Sequence, residues 1–340
     1  SRHGRFFAPE QPSVLEGYQY FLQNLIAHAH EKDVRLFALL ACFIDKDLLA
    51  IEDARLYENY SLVNRQGLPL AALDDKHYSM RQRSLICPSN KEYGDYLLRL
   101  IDELRELGID GLRIIYYYFF QDDFCFCKRC EDSFLEYVRT EKSWLVKWHL
   151  LPSTLLRRPE WPLRMRKQRG DPLYDVWLEW RSHVCYDFAR AARDHLQQGD
   201  TSRMFFPEVN GGDLFGQGRS LDDNWWSYFK RTGRDVHKLA SLGTLLFWLP
   251  KPAIERIARD RQEKAEFAEL MRRVVQTQTH SNSVEFETPD PLTLEMTLRI
   301  IEEHEIANFI LFQPVYESRD YDLPHWLDKN PVWQKICSRP

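Results

Sequence analysis

The sequence predicts an α/β fold, a (β/α)8 TIM barrel with a truncated or irregular first strand. Three observations point to it. Apolar, β-branched or aromatic runs alternate with longer amphipathic segments throughout the chain, the pattern of parallel strands joined by right-handed helical crossovers. About seven strand-like runs are spread over a length typical of such barrels. No G-x-G-x-x-G follows the first strand, which disfavours an open doubly wound sheet. One domain over residues 1–330 and a tail over 331–340 are expected. Within that domain lie a clamped loop at 121–134 and a Pro/Arg-rich excursion or lid at 150–170.

Each element has its own signals. Arg5–Ala8 is what remains of a first strand. Tyr18–Glu31 reads as a helix, with Leu22, Leu25, Ile26 and Ala29 on one stripe. Val34–Phe43 reads as a buried strand. Leu48–Arg83 is a long irregular connection with a short strand at Leu68–Leu73. Pro88-Ser89-Asn90-Lys91-Glu92 starts a helix that runs to Glu106, and Leu107-Gly108 stops it. Gly111–Phe120 is the next strand, and Glu131–Arg139 the next helix. Asp171–Gln198 is a long amphipathic helix. Arg203–Asn210 and Gly243–Leu249 are strands, the first followed by a Gly-rich loop. Ala253–Gln276 reads as one helix, Ser283–Thr288 as a strand, Leu292–Glu305 as a helix and Ala307–Tyr316 as the last strand.

Composition narrows the function. At 44% hydrophobic and 14% aromatic residues the chain can pack a sizeable core. The net charge of −5 gives no general attraction to nucleic acid or anionic membranes, and no apolar run is long enough to span a bilayer. A solvated loop accounts for the basic cluster Arg157, Arg158 and Arg164–Arg169. The seven cysteines fit a reducing compartment such as the cytoplasm, or a metal site, better than a disulfide framework. A homo-oligomer is compatible with all of this.

Three of the seven stand together, in Phe124-Cys125-Phe126-Cys127-Lys128-Arg129-Cys130, between a strand and a helix. Zinc seeks four soft ligands in a tetrahedron, and C-x-C-x-x-C supplies three from one tight loop. Cys87, at the start of the helix before that strand, is the candidate fourth. Four thiolates leave no open position for water, so the expected zinc is structural. Cys42 and Cys185 read as core residues, and Cys337 as a bystander.

These residues carry a family resemblance. Arg83-Ser-Leu-Ile-Cys87-Pro88-Ser89-Asn90, then a helix, a strand and Cys125-Phe-Cys127-Lys-Arg-Cys130, resembles the zinc-cluster β-galactosidases of glycoside hydrolase family 42. It is closer still to a looser set of glycosyl hydrolase-like barrel proteins related to them. Asp110-Gly111 matches their "DG", and Trp180-Arg181 a "WR". His30-Glu-Lys-Asp33-Val-Arg-Leu resembles the H-x-x-G-I-K-V that leads into their second strand. The resemblance implies a TIM barrel, a structural zinc on Cys87, Cys125, Cys127 and Cys130, and a sugar cleft at the C-terminal face. Its specific part covers residues 83–134. It also implies an acid/base glutamate after an asparagine at the end of the strand before the cysteines, and a nucleophile ending the seventh strand. This chain departs at the first place: the strand ends Ile114-Ile115-Tyr116-Tyr117-Tyr118-Phe119-Phe120, with no Asn-Glu.

Glycoside hydrolysis needs two carboxylates, roughly 5–5.5 Å apart for retention and about 6.5–9.5 Å for inversion. Glu285 and Glu287 share one face of their strand by the period-two rule, and the nucleophile-like position falls on one of them. Glu208 and Asn210 share a face at the end of Arg203–Asn210. Asp122 and Asp123 are the acids nearest the strand that lacks Asn-Glu. Catalysis is therefore expected from Glu287, Glu285, Asp123 and Glu208. Sugar contacts are expected from Tyr117, Asp122, Asn210, Trp225, Trp226, Trp248 and Tyr316, since C–H faces of sugars stack on aromatic rings. Trp225-Trp226 reads as loop, flanked by Asp222, Asp223 and Asn224. The expected partner is a carbohydrate, processed by paired carboxylates or, alternatively, bound by a barrel that has lost catalysis. A metal-dependent hydrolase fares worse, with His280 as its one obvious ligand.

Overall fold

The computed structural model describes residues 19–45, 59–64, 66–73, 84–119, 124–143, 172–210, 225–276, 283–288, 290–304, 306, 309–312 and 334. The chain packs as two compact units, 1–204 with 230–235, and 205–229 with 236–340.

In the first unit, helix α1 (Gln19–His30) leads to strand β1 (Phe37–Ala41). Between them Asp33 takes a φ of 56° while Val34 N–H donates to the Ala29 carbonyl at 2.9 Å, the left-handed residue that commonly follows a helix. β1 pairs in parallel with β2 (Gly111–Ile115), Phe37 opposite Gly111 and Ala41 opposite Ile115. Gly111 is required there, because a Cβ would lie 2.5 Å from the Met204 carbonyl and from the Phe37 ring. The preceding Asp110 accepts from Leu36 N–H at 2.7 Å and bonds His30 Nε2 at 2.9 Å, tying α1 to the starts of both strands. β1 is shorter and less buried than its apolar run implies. Leu40 faces the core, whereas Phe37 and Leu39 remain 45% and 60% exposed, so the strand is covered on one side.

Helix α2 (Lys91–Glu106) is capped by Asn90, whose side chain accepts from Tyr93 N–H at 3.1 Å. Helices α2 and α3 (Lys128–Glu141) lie against the long α4 (Pro172–Leu196). The expected strand at Leu68–Leu73 is instead a 3-10 turn, Leu70–Ala72, opened by Pro69 and burying Leu70. Short antiparallel bridges, Ile44 to Leu85 and Ser61 to Ile86, organise the rest of that connection.

In the second unit, β3 (Met204–Asn210), β4 (Leu246–Leu249), β5 (Ser283–Glu287) and β6 (Phe309–Phe312) pair in parallel, each with the next in the chain. Trp225 and Trp226, expected in a loop, open helix α5 (Trp225–Arg231), and a short helix α6 (Val236–Ala240) follows it. Ala253–Gln276 is not one helix but two, α7 (Lys251–Arg259) and α8 (Arg261–Gln276). They break at Asp260, whose backbone is extended and whose carboxylate accepts from Gln262 and Glu263 N–H at 2.8 and 3.1 Å. Helical periodicity runs through such a break, so the cap alone marks it. Helix α9 (Pro291–Glu303) is capped by Asp290 and packs on α7. Val209, Phe247, Leu249, Val284 and Phe286 make one face of this sheet and are wholly buried. The other face carries the acids. Arg5–Ala8, the 150–170 excursion, His280 and Cys337 lie outside the described residues.

Candidate functional site

Four sulfurs converge in the first unit. The Sγ atoms of Cys87, Cys125, Cys127 and Cys130 all lie within 4.8 Å of one another. Cys87 is 3.6 Å from Cys127 and 3.3 Å from Cys130. A tetrahedral ion with metal–sulfur bonds of about 2.3 Å needs sulfur–sulfur edges of roughly 3.8 Å, so these four could hold a metal ion. Local structure builds the arrangement. Cys127 caps α3, and Cys130 lies in its first turn. Cys87 is held by its N–H to the Tyr60 carbonyl at 2.9 Å, and its own carbonyl accepts from Asn90 N–H.

An outer layer comes from the irregular connection. Val63 N–H donates to Cys125 Sγ at 3.2 Å, Phe126 N–H donates to the Val63 carbonyl at 2.9 Å, and Ser89 Oγ lies 3.5 Å from Cys130 Sγ. The Arg129 guanidinium donates to the Asn59 carbonyl and lies over Tyr60. Nothing in the spacing of C-x-C-x-x-C announces these partners. Phe126 stacks on Trp177 at 5.6 Å, and Phe134 meets Trp177 and Trp180 edge-on at 5.1 and 5.8 Å. Such aromatic pairs contribute about 0.5–1.5 kcal/mol each beyond burial, so the cysteine loop is seated on a rigid platform.

Burial pushes the Cys87 and Cys130 thiols up, while hydrogen bonds from Cys125, Cys130 and Cys87 hold Cys127 well below its ordinary value. One thiolate is thus stabilised by its neighbours' protons, which a soft metal would displace. Cys42 and Cys185 stand apart from the cluster; both are wholly buried, and burial raises Cys185 to about 12. They are inert core thiols.

The expected carboxylates lie in the second unit. Glu208 on β3 and Glu285 on β5 are 4% and 5% exposed. The register sets Glu208 beside Leu246, and Trp248 beside both Asn210 and Glu285, so these positions share one face with half-buried Trp248 between the acid-bearing strands. Glu287 ends β5, Asn210 ends β3, and Trp225 and Trp226 open α5 rather than a loop. The side chains of these four, like all of Asp122, Asp123 and Tyr316, are outside the described part. Tyr117 is 0% exposed, whereas its neighbour Tyr116 keeps part of its surface open.

No protein-family model matches the chain, and no curated protein matches it. Solved structures do. The catalytic domain of β-amylase from Paenibacillus polymyxa superposes with a TM-score of 0.60 at 9% identity, covering 98% of this chain and 89% of that one. β-Galactosidase from the psychrophilic Marinomonas ef1 gives 0.56 at 10% identity over 89% of this chain. β-Galactosidase from Bacillus circulans sp. alkalophilus gives 0.54 at 13% over 97%. The fold is a (β/α)8 TIM barrel. The chain spans 47% and 49% of the two β-galactosidase chains. Barrel enzymes work at the C-terminal ends of their strands. In the first unit Tyr116 follows the end of β2; in the second unit the strand ends carry Asn210, Trp248 and Glu287. Sequence reasoning missed two buried arginines beside the first of these ends, Arg181 and Arg234; the "WR" pair marked only one of them.

Proposed function

We propose that this protein is a glycoside hydrolase-like barrel, related to the zinc-cluster β-galactosidases of family 42, that processes a carbohydrate with paired carboxylates. One observation carries the reading: two buried glutamates, Glu208 and Glu285, share the Trp248-bearing face of the second unit's sheet. Buried carboxylates are costly, and a face that concentrates them beside an aromatic suits a sugar ring between two acids. The two strands are separated by one strand, and the positions are offset by two residues. Their backbones therefore lie about 12 Å apart, a span two glutamate side chains can narrow to a catalytic separation. Glu285 or Glu287 serves as nucleophile or base, and Glu208, Asp122 or Asp123 as acid.

Zinc is the proposed metal, held by Cys87, Cys125, Cys127 and Cys130. With four thiolates it supplies no open coordination position and acts as a clamp on the loop after β2. The chain's own residues then bind the sugar, exclude water from its faces and exchange the proton.

The test is turnover of an aryl-glycoside panel by wild type and by Glu208→Gln, Glu285→Gln and Glu287→Gln. Loss of about 10²–10⁴-fold is expected where an acid or base is removed. Undiminished turnover in both the Glu285 and Glu287 variants removes the nucleophile assignment. A second reading is a binding barrel without catalysis. It is favoured by β2, which runs through Ile114 and Ile115 into Tyr116 with no carboxylate from 111 to 119. Sugar binding by wild type with no turnover on the panel would establish it.

A further inference from the structure

The segment leaving β2 is held in a conformation its residues do not prefer. Tyr116 has a φ of 55°. In that region Cβ crowds the backbone, and an aromatic residue there is a genuine outlier. Such strain persists only where the surroundings impose it, and it clusters at ligand sites.

The surroundings are explicit here, and all belong to the first unit. Upstream, the Tyr116 carbonyl accepts from Phe43 N–H at 3.0 Å, two residues past the end of β1. Downstream, Phe119 N–H donates to the Thr232 carbonyl at 3.0 Å. Thr232 opens the turn Thr232-Gly233-Arg234, in which Gly233 has a φ of 82° and sits tightly against α4. A Cβ on Gly233 would lie 2.8 Å from Cys185 Sγ and 2.9 Å from the Arg181 carbonyl. The turn delivers Arg234, whose Nε donates to Thr232 Oγ1 at 2.9 Å and whose guanidinium lies 3.9 Å from the centre of the Tyr118 ring. Arg181 lies 4.6 Å from the Phe119 ring and donates to the Arg231 carbonyl at 2.7 Å.

Both arginines are wholly buried, at 0% and 1% exposure. Desolvated cations of this kind are expensive, and over aromatic faces they fix ring positions more strongly than at a surface. Tyr117 and Tyr118 are buried, while Tyr116 is partly exposed with its ring centre 6.3 Å from that of Tyr118. At the strand end where the resembled enzymes hold an acid, this chain holds a strained, partly open aromatic ring backed by buried charge.

We propose that Tyr116 is a sugar-stacking platform at the C-terminal end of β2, and that Arg234, acting through Tyr118, is the positioning residue that holds it there. The ligand class is a pyranoside that presents a C–H face to the ring. This inference rests on the carbohydrate reading above.

The test is calorimetric binding of maltotetraose and of lactose to the full chain, as wild type, Tyr116→Gly, Arg234→Met, Arg234→Lys and the double variant Tyr116→Gly/Arg234→Met. Tyr116→Gly relieves the backbone strain while removing the ring, so affinity is expected to fall about 3–10-fold with no loss of thermal stability. Arg234→Met is expected to weaken binding comparably, with Arg234→Lys in between. The double variant is expected to bind no more weakly than Tyr116→Gly alone, because Arg234 acts through that ring. Where Arg234→Met does not fold, the Lys variant and its double with Tyr116→Gly decide the same point. Wild-type affinity in Tyr116→Gly overturns the platform, and additive losses in the double variant overturn the positioning role. Both results leave the carbohydrate reading intact. Binding of neither probe by wild type overturns this inference together with that reading.

Discussion

The Sγ atoms of Cys87 and Cys130 stand 3.3 Å apart, although 43 residues separate them in the chain. Helix α2 and strand β2 lie within that interval, so the pair closes one αβ unit at the C-terminal end of its strand. Protein purified without chelator should carry one zinc per chain by elemental analysis. Less than about half an equivalent would count against the site. Cys130→Ser should lose the metal and unfold at markedly lower temperature, because in such sites metal-binding energy is folding energy.

Gly233→Ala should destabilise the first unit by about 2–4 kcal/mol, from left-handed strain together with the clash against the Arg181 carbonyl. Urea unfolding measures it. An unchanged midpoint would mean that the turn can shift off α4.

Asp33→Gly should stabilise by about 0.5–1 kcal/mol, since Asp33 occupies a left-handed position where the resembled motif has glycine. Thermal unfolding of wild type and variant side by side would show a higher midpoint in the variant. A lower one would point to a side-chain role for Asp33.

Asp110 should make stability acid-sensitive. Burial raises its pKa, but the Leu36 N–H, His30 and Arg35 outweigh that and leave the carboxyl below its ordinary 3.8. A depressed folded value means the contribution is complete above the unfolded value near 3.8 and is lost as pH falls through the folded one. Asp110→Asn should therefore be less stable near neutrality, and the gap should shrink in acid. Parallel pH profiles for the two proteins would exclude this role.

Much of this was legible beforehand because it is local. The start signals at Pro88–Glu92 correspond to the Asn90 cap, and C-x-C-x-x-C set at a strand–helix junction corresponds to a loop closed by Cys127 and Cys130. The α7–α8 break was not legible, because apolar spacing continues across Asp260 and only the backbone turn there reveals the cap. Trp225 and Trp226 read as loop because acidic neighbours mask a helix of seven residues. For the acids, the period of two put Glu208 with Asn210 and Glu285 with Glu287. The pairing of strands was needed to set Trp248 between them.

The sequence by itself determined the alternation of parallel strands and helices, the four sulfurs and the absence of an acid from 111 to 119, since all three depend on residue type and near-neighbour spacing. Only the tertiary structure decided that Cys87 meets Cys130, that Tyr116 rather than Tyr117 stays open, and that Arg181 and Arg234 lie buried beneath the same segment. Those outcomes depend on contacts between residues far apart in the chain. Their energies come from burial and charge in a packed interior, which no local pattern encodes.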